Sequence, residues 1–371
     1  MNKNIAVIFG DGIGPEVTQQ SIKVLDAVAA RFGHSFQYTH CLMGADAIDK
    51  TGNPLPDETI EVCLASDAIL FGAIGHPKYD NDPTAKVRPE QGLLKLRKSL
   101  QLYANIRPVS TYASLNHLSP LKSKILESVD MVIFRELTGG IYFGKKQLNE
   151  AGTEAVDECT YNRTEIERIS RLAFAYAQGR RKHLTLVDKA NVLETSRLWR
   201  KVVQELSGEY ADVKVDYMFV DNAAMQLMLN PKQFDVIVTE NMFGDILSDE
   251  ASIISGSLGM LPSASVGTGS ALFEPIHGSY PQAAGKDIAN PVGSILSAAM
   301  LLDHLGLAEE AAVVRGGVDW TLSYGFVSKD IDPVNYYSTS TIGDLIRDFV
   351  EQRLPAGVDK EHLSISKSTI I

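Results

Sequence analysis

Short, wholly apolar runs recur along the chain, and each ends on a glycine or a polar residue. Ile5-Ala-Val-Ile-Phe9 is apolar at every position, which suits a parallel strand covered on both faces. A glycine turn follows, and Pro15 and Glu16 then fit the first turn of a helix. Further strands are predicted at Ala68 to Gly72, Met131 to Phe134, Leu184 to Val187, Val215 to Val220 and Val236 to Thr239. Between them, Thr164 to Gln178 and Ser196 to Glu205 repeat their apolar positions at helical spacing. The alternation implies an α/β fold built on a largely parallel, helix-covered sheet. No Pro-, Gly- or Ser-rich linker and no internal repeat divides the chain, so a second domain is expected as an insertion. From Gly256 to Pro291 glycine, serine and proline are frequent and periodicity is weak, which predicts a long binding loop. The tail after Pro355 has no clear apolar face and is expected to be poorly ordered.

A length of 371 residues suggests about two domains. The net charge of -11 argues against nucleic acid or an anionic membrane as partner, because both favour a cationic surface. Cys41, Cys63 and Cys159 lack metal or disulfide spacing and read as buried thiols in a reducing compartment. No apolar stretch approaches the roughly 18 residues of a membrane span, so a cytoplasmic location is expected.

Asn241-Met-Phe-Gly-Asp245-Ile-Leu-Ser-Asp249 sets two carboxylates four residues apart where a helical run begins. Two readings stay open: capping and macrodipole support at a helix start, or a hard-cation site. Asp221 and Lys189 favour the second, since both stand where strand-like runs end, the edge at which open α/β sheets present their chemistry. Gly10-Asp-Gly-Ile-Gly14 follows a strand, but its spacing departs from a dinucleotide fingerprint and Asp11 would meet the pyrophosphate. On a helix, Glu90, Leu93, Leu94 and Arg97 share one face, either a core stripe with Arg97 reaching solvent or a pocket joining an apolar group to a carboxylate. Arg107 and Arg135 also follow apolar runs and could act as carboxylate clamps. Thr138-Gly-Gly-Ile-Tyr142-Phe-Gly144 suggests a hairpin or arm, with Tyr142 either packed in an interface or placed to donate a proton.

Together these segments, with Glu274-Pro-Ile-His-Gly278 and Ala289-Asn-Pro291, resemble the β-hydroxyacid oxidative decarboxylases of the isocitrate/isopropylmalate dehydrogenase family. The resemblance implies two domains sharing a central mixed sheet without a true Rossmann unit, residues 1–102 plus 256–371 binding the coenzyme and 103–255 inserted for dimerisation, substrate and metal. It implies NAD, Mg²⁺ or Mn²⁺, and a homodimer whose shared active sites lie in the interdomain cleft. By motif, Arg97, Arg107 and Arg135 would hold substrate carboxylates, while Asp245, Asp249 and the partner subunit's Asp221 bind the cation. The partner subunit's Lys189 would take the hydroxyl proton and Tyr142 would return one to carbon. Leu93, Leu94 and Val192 would supply an apolar wall, which selects 3-isopropylmalate over substrates with a third carboxylate. Asn191 joins the substrate set, and Glu90 sits between substrate and nicotinamide ribose. Coenzyme contacts would come from Ile13, His76, Glu274, His277, Gly278, Ser279, Gln282, Ala283, Gly285 and Asn290. Gln282 stands where NAD-using relatives place an acid, which implies weaker rejection of NADP.

Rival readings are a homoisocitrate, isocitrate, malate or tartrate dehydrogenase on the same scaffold, and a noncatalytic regulatory subunit. The presence of Tyr142, Lys189 and all three aspartates weighs against the last. A coenzyme-free, metal-dependent lyase leaves the segment from Glu274 to Asn290 unexplained.

Overall fold

The N-terminal apolar run forms β1 (Asn2–Gly10), and Pro15 and Glu16 open α1 (Gly14–Phe32). The structure, a computed structural model, describes residues 1–81 and 85–354. Along the chain follow β2 (Ser35–Cys41), α2 (Ala45–Thr51), α3 (Asp57–Ala65), β3 (Ala68–Ala73), α4 (Pro77–Asp80) and α5 (Pro89–Ser99). Next come β4 (Ala104–Ser110), α6 (Ser123–Leu126), β5 (Asp130–Glu136), β6 (Lys146–Leu148), β7 (Ala155–Asp157) and α7 (Arg163–Gln178). Then β8 (His183–Asp188), α8 (Glu194–Ser207), β9 (Lys214–Phe219), α9 (Val220–Leu229), β10 (Val236–Thr239) and α10 (Asn241–Ser255) follow. Last are β11 (Pro262–Val266), β12 (Ala271–Pro275), α11 (Val292–His304), α12 (Ala308–Ser323) and α13 (Thr339–Val350).

The chain divides into two units. The first takes Met1–Leu100, Tyr112–Leu118 and the described residues from Ser255 onward, and the second takes Gln101–Thr111 and Ser119–Ile254. In the first unit the strand order is β2-β1-β3-β12-β11, parallel except for the antiparallel β11–β12 pair. In the second it is β4-β5-β10-β8-β9, parallel except for β4 against β5. Helices cover the central strands, so Ile5 to Ile8 and Val236 to Val238 are buried at every position and show no alternation. In the second unit α7 and α8 turn Phe174 and Trp199 into the core, each burial contributing about 1.5–3 kcal/mol.

Several sequence expectations change. Gly256 to Pro291 is no single loop, because β11 and β12 pair within it and are almost wholly buried. Pro-Ser-Ala-Ser-Val and Ala-Leu-Phe-Glu-Pro hide this by mixing small, polar and apolar residues where both faces are covered. Val220 begins α9 rather than ending a strand. The hairpin of the arm is β6–β7, just beyond Gly144, and it is exposed throughout. Of the thiols, Cys63 is buried, Cys41 half-buried and Cys159 exposed. The tail after Pro355 lies outside the described residues.

Candidate active site

In the second unit, strand register aligns the first group of polar residues. Asn105 on β4 lies opposite Arg135 on β5, and Arg107, two positions along, faces the same side. Both arginines are buried. Gly244 lets α10 come close to them, since a Cβ there would lie 2.8 Å from the Cβ of Arg135. Asp245 and Asp249 sit one turn apart on α10, beyond its first turn, so capping does not account for them.

Arg135 pairs with Asp245 through Nη1 and donates from Nε to Oδ1 of Asn241 at 3.0 Å. Nη1 of Arg107 lies 3.8 Å from carboxylate oxygens of both Asp245 and Asp249, and it also donates to Ser248. Its Nε donates to Asn105 at 2.5 Å. The Tyr142 hydroxyl donates to the second oxygen of Asp245 at 3.0 Å. Burial, and then the Asp245 charge, raise the Tyr142 phenol above its usual range, so it holds its proton. Burial also raises Asp249, against the pull of Arg107 and with the push of Asp245. Two charged guanidinium groups thus steady an acid pair beside a protonated phenol.

Lys189 and Asp221 form a separate pair, Nζ to Oδ1 at 2.8 Å. Lys189 follows β8, and Asp221 lies in the first turn of α9, where the lysine holds its carboxyl below the usual range. Asn191 and Val192 are exposed beside them, Val192 at 61%. Among the described residues, no three His, Cys, Asp or Glu side chains converge on a cation site within one chain. Asp245 and Asp249 nonetheless offer hard oxygen donors, and the Asp249 side chain is 61% exposed, so the pair fits a divalent ion that takes its remaining ligand elsewhere.

In the first unit, Asp11 turns inward. Its carboxylate accepts from the backbone N–H of Ala45 at 2.9 Å, at the start of α2, and of Gly75 at 3.0 Å, so it ties the turn down and does not face a phosphate. Gly12, at φ 60°, allows the backbone to pass Ser279, whose carbonyl would lie 2.0 Å from an added Cβ. Ile13 N–H then donates to the Ser279 carbonyl at 2.8 Å. The turn and the loop after β12 together border a cavity of about 440 Å³, lined by Ile13, Leu258, His277, Tyr280, Ile288 and Asn290 among others. Asn290 is held by Asp330 at 3.1 Å, and Nε2 of His277 is buried without a partner. Burial lowers the His277 pKa, so the ring is neutral at pH 7. With Nδ1 2.9 Å from the Gly278 carbonyl, it donates there and leaves Nε2 as an acceptor. A mostly apolar slot with such an acceptor and an amide fits a heteroaromatic base.

The remaining candidates are scattered more widely. On α5, Arg97 is buried and donates to Glu274 at 2.9 Å instead of reaching solvent, while its Nε has no partner. Leu93 and Leu94 are half-buried, and Glu90 is exposed near Gly75. His76 caps α4, its Nδ1 accepting from Lys78 N–H. Ala283 is packed in the core with Ile13, Val17 and Ala289, so its side chain is not offered to a ligand. Gln282 and Gly278 are exposed, and the exposed Gly285 donates its N–H to Glu16.

Sequence reasoning missed a buried acidic row. Register places Glu240 beside Glu136 and Asp188 at the ends of β10, β5 and β8. Glu136 accepts from Thr138 and Gly139 of the Tyr142 loop, and Asp188 takes two hydrogen bonds from Arg200. One oxygen of Glu240 has no partner, and burial, then the charges of Asp188 and Glu136, push its pKa up to about 7. Asn105, Ser248 and Asn241 were missed too, although Asn105 stands two residues before Arg107 on a strand face.

A model of the isocitrate/isopropylmalate dehydrogenase family matches residues 4–346. A 3-isopropylmalate dehydrogenase of Bacteroides fragilis (strain YCH46) is 53% identical over 354 residues, covering 95% of this chain and 100% of that protein. One of Bacillus subtilis (strain 168) is 54% identical over 346 residues, covering 92% and 94% respectively. Among solved structures, an isocitrate dehydrogenase from Methylococcus capsulatus superposes with a TM-score of 0.86 at 35% identity, covering 94% of this chain and 100% of that one. A β-decarboxylating dehydrogenase from Thermococcus kodakarensis, in its apo form, gives 0.78 at 38% identity, covering 94% and 96%.

Proposed function

Because this chain belongs to the isocitrate/isopropylmalate dehydrogenase family, we propose that it oxidatively decarboxylates 3-isopropylmalate to 4-methyl-2-oxopentanoate and carbon dioxide with NAD, the dehydrogenase step of leucine biosynthesis. The observation that carries this reading is the grouping of Tyr142, Arg107 and Arg135 around the Asp245–Asp249 pair, while Lys189 and Asp221 pair apart from them. A homodimer supplies what each chain lacks, the Lys189–Asp221 pair of one subunit completing the acid pair of the other. Apolar residues left exposed support such an interface: Met225 and Leu229 on α9, Ile246 and Ile253 on α10, and Leu148 and Val156 on the β6–β7 hairpin.

Asp245, Asp249 and the partner subunit's Asp221 would hold Mg²⁺ or Mn²⁺, which would supply Lewis acidity, and bound NAD would supply the hydride acceptor. Arg97, Arg107 and Arg135 grip the two carboxylates as bidentate donors. The partner subunit's Lys189 takes the proton of the 2-hydroxyl as C2 is oxidised, and Tyr142 delivers a proton to C3 once carbon dioxide has left. Leu93, Leu94 and the partner subunit's Val192 receive the isopropyl group and penalise a third carboxylate by stripping its hydration. Asn191 of the partner subunit lines the same position, and Glu90 stands towards the nicotinamide ribose.

On the coenzyme side, Ile13, His277, Gly278 and Asn290 receive the adenine end, with His76, Glu274, Ser279 and the backbone of Ala283 and Gly285 along the dinucleotide. Gln282 hydrogen-bonds ribose hydroxyls without repelling a 2'-phosphate, so NAD is preferred with reduced discrimination. The test is NADH formation from 3-isopropylmalate, with and without a chelator, alongside isocitrate, malate and tartrate. No NADH, or an equal rate under chelation, overturns the reading, and higher kcat/KM for tartrate or isocitrate reassigns the substrate. Among the described residues no helix is long and apolar enough to cross a membrane.

A further inference from the structure

We infer that Tyr280 is a base-stacking residue, holding the heteroaromatic base of the coenzyme against the apolar wall of the first-unit cavity. The inference rests on the dinucleotide reading above and adds a contact that the family motifs did not mark. Tyr280 sits at φ 36° and ψ 63°, a left-handed conformation that costs a bulky L-residue free energy. Such strain persists where the surroundings impose it, and it gathers at ligand sites. Here the neighbours do impose it: Ser279 is buried against Gly12 and Ile13, and the Tyr280 carbonyl accepts from Ala283 N–H at 3.0 Å to turn the chain.

Among the described residues the side chain gains nothing visible in return. It is 56% exposed, yet it lines the cavity together with Ile13, Ile288 and Pro333. Among the described residues no hydrogen bond or ring contact engages it. An aromatic ring at the mouth of an apolar slot, with Asn290 and the unpartnered His277 Nε2 also at that slot, completes the elements of base recognition: a stacking face and an edge that reads hydrogen bonds. A stacked base is sequence-tolerant chemistry, because any purine presents a π-face.

Calorimetric titration of 5'-AMP and of NADH into the wild type, Tyr280→Phe, Tyr280→Ala and Tyr280→Gly tests this, with Tm measured for each. Stacking lost in Tyr280→Ala is expected to weaken both ligands about tenfold, while Tyr280→Phe stays within twofold of wild type on the same scale. Tyr280→Gly, which relieves the left-handed backbone, is expected to raise Tm while weakening binding as Tyr280→Ala does. In turnover the loss should fall on the coenzyme KM rather than on kcat. Wild-type affinity in Tyr280→Ala, or a Tm drop in Tyr280→Gly with unchanged affinity, overturns the inference and assigns Tyr280 a packing role. Failure of the wild type itself to bind either ligand overturns instead the dinucleotide reading beneath it.

Discussion

The two units prepare for their ligands in different ways. In the first, the cavity beside Ile13 is assembled from core packing and backbone hydrogen bonds, and among the described residues its lining includes a buried, unpartnered nitrogen of the neutral His277. In the second, the functional groups are charged and already paired, Arg135 and Arg107 with Asp245 and Asp249, and Lys189 with Asp221. An apolar slot can stand ready in one chain because empty apolar surface needs no counter-charge. A buried charge needs a partner at all times, so the buried Arg107 and Arg135 are held by the acid pair, partners that a bound dicarboxylate would replace on the proposed reading. The first unit should therefore tolerate substitutions that keep shape, and the second should respond sharply to any change of charge or proton.

The largest break is expected at Lys189. Lys189→Met keeps bulk on a partly exposed side chain but removes the base, so kcat should fall by about 10³-fold with Tm little changed. Retained turnover in that variant, measured as NADH formation, contradicts its role. Next comes Tyr142→Phe, which keeps the ring beside Arg135 and removes the proton, for a loss of about 10²-fold in kcat with KM for substrate nearly constant. A matched rise in KM would instead show that the hydroxyl binds substrate.

Glu240 sharpens the contrast through stability. Its folded pKa of about 7 lies above the ordinary 4.5, so the folded state resists its ionisation. The sign follows: the stability Glu240 contributes is greatest below pH 4.5, falls as pH rises towards 7, and is flat beyond. The shift bounds the loss at about 3 kcal/mol. Glu240→Gln cannot ionise, so the unfolding free energy measured from pH 4 to 9 should lack that decline and exceed wild type on the alkaline side by about 2 kcal/mol. Parallel profiles for the two proteins would refute a protonated Glu240. The smallest effect is expected for Asp249→Asn, which keeps shape but removes one hard anionic donor: the Mg²⁺ needed for half-maximal rate should rise about tenfold. An unchanged metal requirement would remove Asp249 from the ligand set.

Much of this organisation was legible because burial and chemistry both leave local marks. Strands covered on both faces read as largely apolar runs, and Arg135 and Lys189 stand out as polar positions where those runs end. Helical spacing marked Asp245 and Asp249 in the same way. What stayed hidden depends on partners distant in sequence. β11 and β12 are short and rich in small residues, so their pairing is tertiary information. The same holds for Asp11, whose carboxylate anchors α2, and for Arg97, whose burial requires Glu274, 177 residues along the chain. Tyr280 carried no mark, since a left-handed tyrosine is imposed by its surroundings and not by its own preference.

The central claim, that each active site draws on two subunits, is tested most directly by mixing two inactive variants. Tyr142→Phe and Lys189→Met dimers would be dissociated together, reassociated in equal amounts and assayed for NADH formation. If Lys189 serves the partner's Tyr142, random reassociation makes half the dimers hybrid, each with one intact site, and about a quarter of wild-type activity should return. A mixture no more active than its two components would mean that Tyr142 and Lys189 of the same chain work together, and the shared-site account would fail.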